Sequence, residues 1–256
     1  MPRLDQNQDE TVSMKITGAS NFHFSGVRPE KLQATEYTLV TIVIDETGSV
    51  AKFADLLLDM VKTIIKSCQK NARAENVLVR LVAFNRNVRE VHGFIALPDI
   101  KTDDYQPFQP TGLTALYDAT YSAIGSMLTY GKSLYDLDME VNGVGFIVTD
   151  GDNNTGSMGT TSIADCMEEA MRMEKIKGIT TVLIGIKDPS LPKSEAERIA
   201  AALKKFKDEA KLTEYIDAGD ATPETLAKIA SFASQSISSV SQSLNNGTPG
   251  SVSLKF

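Results

Sequence analysis

The sequence predicts a doubly wound α/β domain, in which a mostly parallel six-stranded sheet carries helices on both faces. Short and nearly continuous apolar runs, which suit parallel strands buried on both sides, alternate with longer segments whose apolar residues recur at helical spacing. One connection of three residues, 85–87, is too short for a helical crossover. It therefore predicts one antiparallel strand at the edge of the sheet.

The first half of the chain contains three of the predicted strands and one helix. Residues 14–26 alternate partly between apolar and polar side chains, which is typical of an edge strand or a hairpin. Residues 37–44 are β-rich and predict a central strand. Residues 49–70 predict a helix, because apolar side chains recur there every three or four positions. Residues 76–84 predict the second strand, and residues 88–95 predict the antiparallel third.

The second half continues the alternation of strands and helices. A polar loop with several prolines separates the third strand from a helix that begins near Thr114. The later predicted elements are a strand at 144–150, a helix at 162–177, a strand at 179–186, a helix at 193–210, a strand at 213–219 and a helix at 222–244. Right-handed crossovers between such units place helices on both faces of the sheet.

The length and composition are those of one globular domain with extensions at both ends. The 256 residues are 42% hydrophobic and 23% charged, which is enough for one sizeable core. We place the domain at residues 35–244, with an amino-terminal extension at 1–34 and a tail of linker composition at 245–256. The net charge of −7 argues against nucleic acid and anionic membrane surfaces as partners.

The sequence also predicts a cytoplasmic location. Cys68 and Cys166 are the only cysteines, and two are too few for a disulfide framework. The polar first ten residues lack the apolar core of a signal peptide. No apolar stretch approaches the length of a membrane-spanning helix.

Hydroxyl and carboxylate side chains occur where the predicted parallel strands end. Asp45, Thr47 and Ser49 follow the first strand on alternate positions, and alternate residues of an extended segment point the same way. Thr114 opens the helix after the long loop, and Asp150 ends the fourth strand. Ligands of doubly wound sheets bind at the carboxyl ends of the strands. These hard oxygen donors, with no histidine or cysteine among them, suit Mg²⁺, Mn²⁺ or Ca²⁺ rather than zinc.

Each of these segments alone has a simpler explanation. The stretch at 45–49 could be a strand-end turn with hydroxyl caps, and Thr114 could be a helix cap. Asp150 followed by glycine is a common turn pair. The coincidence of the three segments at one edge of the sheet favours a metal site.

Three motifs resemble the von Willebrand factor A-type domain. DETGS at 45–49 is similar to the family's D-x-[S/T]-x-S signature, TGLTALYDA at 111–119 to its G-x-T-x-L-x-D-A segment, and FIVTDGDNN at 146–154 to its apolar-T-D-G segment. In that family the three segments form the metal-ion-dependent adhesion site, or MIDAS. The resemblance runs from about residue 37 to residue 244 and also implies the antiparallel third strand. Glu46 stands where small residues are common in the family.

The resemblance implies a role for each of five residues. Thr47 and Ser49 match direct hydroxyl ligands, and many members have serine at the first of these positions. Thr114 matches a threonine that binds the metal directly or through water. Asp45 and Asp150 match carboxylates that act largely through water.

The predicted function is that of a non-enzymatic protein-binding module that depends on a divalent metal. Mg²⁺, or Mn²⁺ or Ca²⁺ in its place, keeps exchangeable waters, and an acidic residue of a partner protein can replace one of them. Intracellular proteins that resemble this one often act beside AAA+ ATPases or in bacterial and phage-related stress- and tellurite-resistance systems. The resemblance implies the same setting here by family analogy.

An enzyme is the alternative function. A magnesium-dependent phosphatase of the haloacid-dehalogenase type also places an aspartate nucleophile, here Asp45, at a strand end. Such an enzyme needs a second aspartate two residues later as general acid, and Thr47 stands at that position. No G-x-G-x-x-G follows the first strand, and the chain contains no G-x-x-x-x-G-K-[S/T].

Overall fold

The computed structural model describes residues 10–16, 21–172 and 176–243, which form an eight-stranded sheet and five α-helices. The strands are β1 (Thr11–Lys15), β2 (His23–Val27), β3 (Glu36–Asp45), β4 (Val77–Phe84), β5 (Val88–Ala96), β6 (Glu140–Thr149), β7 (Ile176–Lys187) and β8 (Glu214–Asp220). The helices are α1 (Ala54–Cys68), α2 (Leu116–Tyr135), α3 (Thr160–Arg172), α4 (Lys193–Glu209) and α5 (Pro223–Ser243). The predicted α/β class, with helices on both faces of a mostly parallel sheet, is confirmed.

The strands lie in the order β1-β2-β5-β4-β3-β6-β7-β8. From β4 to β8 across the sheet the neighbours are parallel, and β5 runs antiparallel to β4, as its short connection predicts. The six predicted strands are therefore all present. The antiparallel strand is not the edge of the sheet, however, because β1 and β2 form a hairpin that pairs with it through Gly26 and Phe94.

The hairpin buries the apolar side chains of the amino-terminal segment. Phe24 is 0% exposed and meets Phe94 and Tyr130 edge-on, with ring centroids 6.0 and 6.2 Å away. Ile16 is also buried and packs against α2 at Gly125. The described parts of the segment at 14–26 thus belong to two antiparallel strands, β1 and β2, and a hairpin is one of the two structures that its alternation predicts. Residues 1–9, 17–20, 173–175 and 244–256 lie outside the described residues.

The helix after β3 does not begin where the sequence predicts. Gly48–Lys52 forms a 3₁₀ helix, and α1 begins only at Ala54. Ser49 therefore lies in a tight turn and not at the first position of an α-helix. The predicted start of an α-helix at Ser49 is wrong for this reason.

Two other boundaries differ from the prediction. The helix predicted at 162–177 is α3, whose described residues end at Arg172, and β7 already begins at Ile176. Ile176 continues an apolar repeat and so reads as helical, but it pairs with Val141 and packs beside Gly131 of α2. Tertiary contacts thus override the local pattern. β6 begins four residues before its prediction, because its first residues pair with the start of β3.

The sheet separates two hydrophobic clusters. Ile42 and Ile44 of β3 face α1 and α5, whereas Leu39 and Val43 face α2, α3 and α4. Successive strand residues point to opposite faces, so β3 is buried nearly along its whole length. Its carboxyl end delivers Asp45 to the edge where the connecting loops meet.

Cys68 and Cys166 are buried and free, and they belong to the clusters on opposite faces of the sheet. The sheet therefore keeps the two thiols from forming a disulfide with each other. Across the described ranges, none of the helices combines the length and the apolar character that crossing a membrane requires.

The hairpin meets β5 at a glycine that leaves no room for a side chain. A Cβ atom at Gly93 would lie 2.0 Å from the carbonyl oxygen of Ser25. We expect Gly93→Ala to push β2 away from β5 and to lower the free energy of unfolding by about 1–3 kcal/mol, the usual range for overpacking. Urea unfolding measures the loss.

Gly159→Ala is the matched control for this prediction. A Cβ atom at Gly159 would meet no described atom within 4 Å. The control should change the free energy of unfolding by less than about 0.5 kcal/mol. Equal losses in the two variants would contradict a close approach at Gly93.

Candidate metal centre

Three loops meet at the carboxyl ends of β3 and β6, and we name them loop 1 (residues 45–49), loop 2 (residues 109–115) and loop 3 (residues 149–155). The backbone amide of Thr111 donates to the carbonyl oxygen of Glu46 at 3.1 Å. The amide of Asn154 donates to the carbonyl oxygen of Thr114 at 3.0 Å. Loop 2 is thus hydrogen-bonded to both of the other loops.

Hydrogen bonds between side chains join three of the five predicted ligands. Thr47 Oγ1 and Ser49 Oγ lie 2.9 Å apart, and Ser49 Oγ donates to Asp150 Oδ1 at 2.8 Å. The pairing of β3 with β6 brings these residues together from positions 101 apart in the sequence. Thr47 and Asp150 are buried, whereas Ser49 is exposed. Ser49 is therefore the member of this group that faces solvent.

Asp45 is 0% exposed, and both of its carboxylate oxygens accept hydrogen bonds. The backbone amide of Thr47 donates to Oδ1 at 2.8 Å, and Thr149 Oγ1 donates to Oδ2 at 2.6 Å. Burial raises the pKa of the Asp45 carboxyl, and the hydrogen bonds from Thr149 and Thr47 oppose the rise. The main structural effect of Asp45 is to fix the backbone that presents Thr47.

The carboxylate of Asp150 has one oxygen without a partner. Asp150 Oδ2 is buried and accepts no hydrogen bond from any residue that the structure describes. Of the four buried side-chain atoms in this condition among those residues, it is the only carboxylate oxygen. Burial, and after it the charge of Asp45, raises the pKa of Asp150 to about 7. A buried carboxylate oxygen is costly unless it is paired, so this site favours a proton or a cation.

Thr114 lies near the end of loop 2, beside loop 3. Its backbone amide donates to Asn154 Oδ1 at 2.8 Å. Its Oγ1 would lie 3.8 Å from a Cβ atom at Gly151, so loop 3 passes close to this hydroxyl just after Asp150. The structure therefore joins the other four predicted ligands through hydrogen bonds around Asp45 and Ser49 and places Thr114 next to them.

The side chains gathered here fit a hard divalent cation. They supply three hydroxyl oxygens and two carboxylates, which suit Mg²⁺, Mn²⁺ or Ca²⁺. Within the described ranges, no group of three or more His, Cys, Asp and Glu side chains is placed to hold a metal. A cation at this position must therefore rely on hydroxyls. The unpartnered oxygen of Asp150 is the feature that a cation would satisfy directly or through water.

Several other residues support the site. Thr149 holds Asp45, and Glu46 contacts loop 2 through its backbone and side chain. Asn153 and Asn154 accept hydrogen bonds from amides at the start of α2, Asn153 from the amide of Tyr117 at 3.0 Å. No local spacing in the sequence predicts these contacts, because each partner lies in another loop or helix.

Ion pairs surround the three loops. Lys52 Nζ lies 2.9 Å from Asp188 Oδ2, and Arg198 Nη1 lies 2.6 Å from Asp152 Oδ2. Hydrogen bonds from Ser190 and then Lys52 lower the pKa of Asp188 to about 2. Asp188 therefore stays ionised at neutral pH, and its charge adds to the rise in the pKa of the nearby Asp150.

Solved structures of low sequence identity share this fold. The PilB minor pilin from Streptococcus sanguinis aligns with a TM-score of 0.55 at 17% identity, covering 84% of this chain and 64% of the pilin chain. The pilus adhesin SpaC from Lactobacillus rhamnosus GG, in its open conformation, aligns with a TM-score of 0.53 at 13% identity, covering 90% and 34%. Proximal thread matrix protein 1 from the mussel byssus aligns with a TM-score of 0.50 at 17% identity, covering 90% and 48%. That mussel protein has also been solved with a zinc-occupied MIDAS motif.

Identities this low show a shared fold alone. The chain spans less than two thirds of the pilin chain, about a third of the adhesin and about half of the mussel protein. No family model and no curated protein sequence match it. This chain therefore shares an α/β fold with these proteins.

Proposed function

We propose that the chain is a von Willebrand factor A-type module that holds one divalent cation at loops 1 to 3 and uses it to bind a protein partner. The observation that carries the proposal is the buried, unpartnered Oδ2 of Asp150 beside the hydroxyls of Thr47 and Ser49. These residues stand in the motifs that resemble the family's MIDAS. The shared fold and the chemistry of the side chains point the same way.

The five residues of the site have different roles in holding a cation. Thr47 and Ser49 offer neutral hydroxyl oxygens as direct ligands, and Thr114 offers a third, directly or through water. Asp45 and Asp150 act on the cation largely through water. Asp45 also fixes the backbone of Thr47, and Asp150 also accepts a hydrogen bond from Ser49. When bound, Mg²⁺, or Mn²⁺ or Ca²⁺, supplies an electrophilic position for an acidic residue of the partner.

A binding module accounts for Asp45 better than an enzyme does. In a phosphatase of the haloacid-dehalogenase type, Asp45 would need a free oxygen to attack phosphorus. Asp45 is fully buried, and Thr47 and Thr149 donate to both of its oxygens. An assay with an aryl phosphate and Mg²⁺ tests this point. Turnover that Asp45→Asn abolishes would contradict the non-enzymatic function.

The proposal extends to location and partner on the strength of the sequence alone. The buried, free cysteines are compatible with a cytoplasmic protein. Intracellular members of the family that resemble this chain often act beside AAA+ ATPases or in stress- and tellurite-resistance systems. We therefore propose an intracellular protein assembly as the setting, with an AAA+ ATPase as one partner class.

Calorimetric titration of the metal-stripped protein with Mg²⁺ or Mn²⁺ tests the site. Wild type should bind one equivalent of metal. Thr47→Ala and Ser49→Ala each remove a direct ligand. Losing an outer-shell partner commonly weakens metal binding by about 10–100-fold, so each of these changes should weaken it by at least that much. Thr63→Ala, which removes an exposed hydroxyl from α1, is the control and should leave the titration unchanged.

Folding and partner capture complete this test. Circular dichroism should show the same helix content in each variant, because the side chains lie at strand ends and outside the two hydrophobic clusters. Identical titrations of wild type and Thr47→Ala would contradict the site. Capture of the same partner proteins in a chelator as in Mg²⁺ would show that the metal is only structural, and the adhesion role would then fail.

A further inference from the structure

We infer that Glu46 is a positioning residue of the metal centre, which holds loop 2, and with it Thr114, against loop 1 before a cation binds. The inference rests on the proposed function, because it concerns the metal affinity of the same site. Glu46 stands between Asp45 and Thr47 in the sequence, at a position where the family that this chain resembles commonly has small residues. Its side chain contacts loop 2 and β5. It does not belong to the hydrogen-bonded set of Thr47, Ser49 and Asp150.

The carboxylate of Glu46 is buried, and both of its oxygens accept hydrogen bonds. Oε1 accepts from the backbone amide of Gln109 at 2.6 Å, and Oε2 accepts from the guanidinium of Arg89 at 2.7 Å. The carbonyl oxygen of Glu46 accepts from Thr111 at 3.1 Å, and its amide donates to the carbonyl of Phe84 at 2.7 Å. Glu46 therefore attaches loop 2 at two points and is itself fixed to β4 and β5.

Loop 2 has little structure of its own to keep Thr114 in place. Residues 105–115 contain no helix or strand. Gly112 turns the chain with a φ of +79°, a conformation that favours glycine. Thr111, whose amide Glu46 holds, lies only three positions before Thr114. A shift of Thr111 would therefore be transmitted to the hydroxyl of Thr114.

The ion pair with Arg89 explains how a carboxylate is tolerated at this position. Buried negative charge is already unfavourable here, since the charge of Asp45 raises the pKa of Asp150. The guanidinium of Arg89 lies 2.7 Å from Glu46 and compensates its charge. Glu46 can thus tie down loop 2 with short, charge-assisted hydrogen bonds and add little net charge to the site.

A purely structural role would lower stability and leave metal affinity unchanged. The chain offers a matched comparison at the opposite end of β3, where Glu36 pairs with Arg73 and both side chains are less than a fifth exposed. Glu36→Gln alters a glutamate–arginine pair on the same strand, far from the loops. Glu46→Gln alters the corresponding pair beside the metal centre.

Mn²⁺ binding to the full chain, measured by electron paramagnetic resonance, distinguishes the two roles. We expect Glu46→Gln to weaken Mn²⁺ binding by about tenfold, the lower end of the effect of losing an outer-shell partner. Glu36→Gln should leave the affinity within about twofold of wild type, since it perturbs no group near the loops. Arg89→Met removes the same ion pair from its more exposed end and should weaken binding in the same direction. It keeps the test decisive if Glu46→Gln does not fold.

A double-mutant cycle with Thr114→Ala tests the route of the effect. If Glu46 acts through Thr114, adding Glu46→Gln to Thr114→Ala should weaken Mn²⁺ binding by less than about twofold further. A further tenfold loss would overturn the inference, because Glu46 would then act on other ligands. Equal affinity of wild type, Glu46→Gln and Arg89→Met would overturn it too. A wild-type protein that binds no Mn²⁺ would overturn the proposed function itself.

Discussion

Replacing Asp150 with asparagine is expected to stabilise the metal-free protein at pH 8 and to remove most of its affinity for Mg²⁺. Asparagine has nearly the same shape, and its amide oxygen can still accept the hydrogen bond that Ser49 donates. The negative charge, however, disappears from a position where burial and the charge of Asp45 oppose it. The same charge is the one that a bound cation needs.

The pH dependence of this gain follows from the direction of the pKa shift. Folding raises the pKa of Asp150 from 3.8 to about 7. Below about pH 4 the carboxyl group is protonated in both states, and it costs the folded state nothing. Between about pH 4 and pH 7 only the unfolded chain loses the proton, so the stability of wild type falls as the pH rises. Above that range the loss is complete, and Asp150→Asn should raise the free energy of unfolding by about 2–4 kcal/mol.

Urea unfolding in a chelator at pH 8 and pH 5 measures this prediction. The gain from Asp150→Asn should be clearly smaller at pH 5, because the wild-type carboxyl then keeps its proton in the folded state. Asp188→Asn is the matched control, since it neutralises a neighbouring carboxylate whose pKa is lowered to about 2 by Ser190 and Lys52. That change should destabilise the protein at both values of pH.

The metal supplies the second half of the test. Adding Mg²⁺ should raise the stability of wild type through binding to the folded state, and it should raise that of Asp150→Asn much less. A loss of stability from Asp150→Asn in the chelator would contradict the account of Asp150 as a charge that the fold holds at a cost. Equal stabilisation of the two proteins by Mg²⁺ would contradict its role in the site.

The sequence predicts the fold well where the signal is local. The continuous apolar run of β3 and the three-residue connection before β5 each determine an element and its direction without knowledge of the rest of the chain. The place of the hairpin is not local. It depends on the fit of Ser25 against Gly93, and these residues lie far apart in the sequence. The antiparallel strand was therefore predicted at the edge, although it lies inside the sheet.

The candidate site shows the same division between local and tertiary signals. Asp45, Thr47 and Ser49 can be recognised together because alternate residues after one strand point the same way. The support of the site cannot be recognised in this way. Glu46 bonds to the amide of Gln109, 63 positions away, and no spacing rule relates the two. The ligand roles of the five predicted residues stay predictions, which the titrations test.

The largest loss of stability is expected from a buried ion pair outside the site. Arg80 in β4 has a side chain that is 1% exposed, and its Nε donates to Glu90 Oε2 at 2.8 Å. The guanidinium also donates to Ser122 at 3.2 Å and to Ser126 Oγ at 3.1 Å, both in α2. Glu90 accepts from the amide and the hydroxyl of Ser25 in the hairpin. The pair thus ties the hairpin, β4, β5 and α2 together.

Arg80→Ala should lower the free energy of unfolding by about 3–5 kcal/mol, because it leaves the buried charge of Glu90 without its guanidinium partner. Arg172→Ala is the matched control. The side chain of Arg172 is 81% exposed and pairs with Glu168 within α3, so its removal should cost less than about 1 kcal/mol. Similar losses in the two variants would contradict the importance of the buried pair.

Neutralising both members of the pair separates lost charge compensation from lost packing. Arg80→Met with Glu90→Gln keeps apolar volume under α2 and an acceptor for Ser25. It also removes the buried negative charge of Glu90, which Arg80→Ala leaves without its guanidinium partner. We therefore expect the double variant to be more stable than Arg80→Ala in urea unfolding. A double variant that is no better would mean that the hydrogen bonds of Arg80 to α2, and not the charge of Glu90, dominate the loss. The folded fraction of Arg80→Ala should still bind Mg²⁺ with wild-type affinity, since Glu90, Ser122 and Ser126 all lie outside loops 1 to 3. We thus expect Asp150→Asn to be stable without binding metal, and Arg80→Ala to bind metal with reduced stability. That pair of results would assign metal binding and the stability of the fold to separate parts of one sheet.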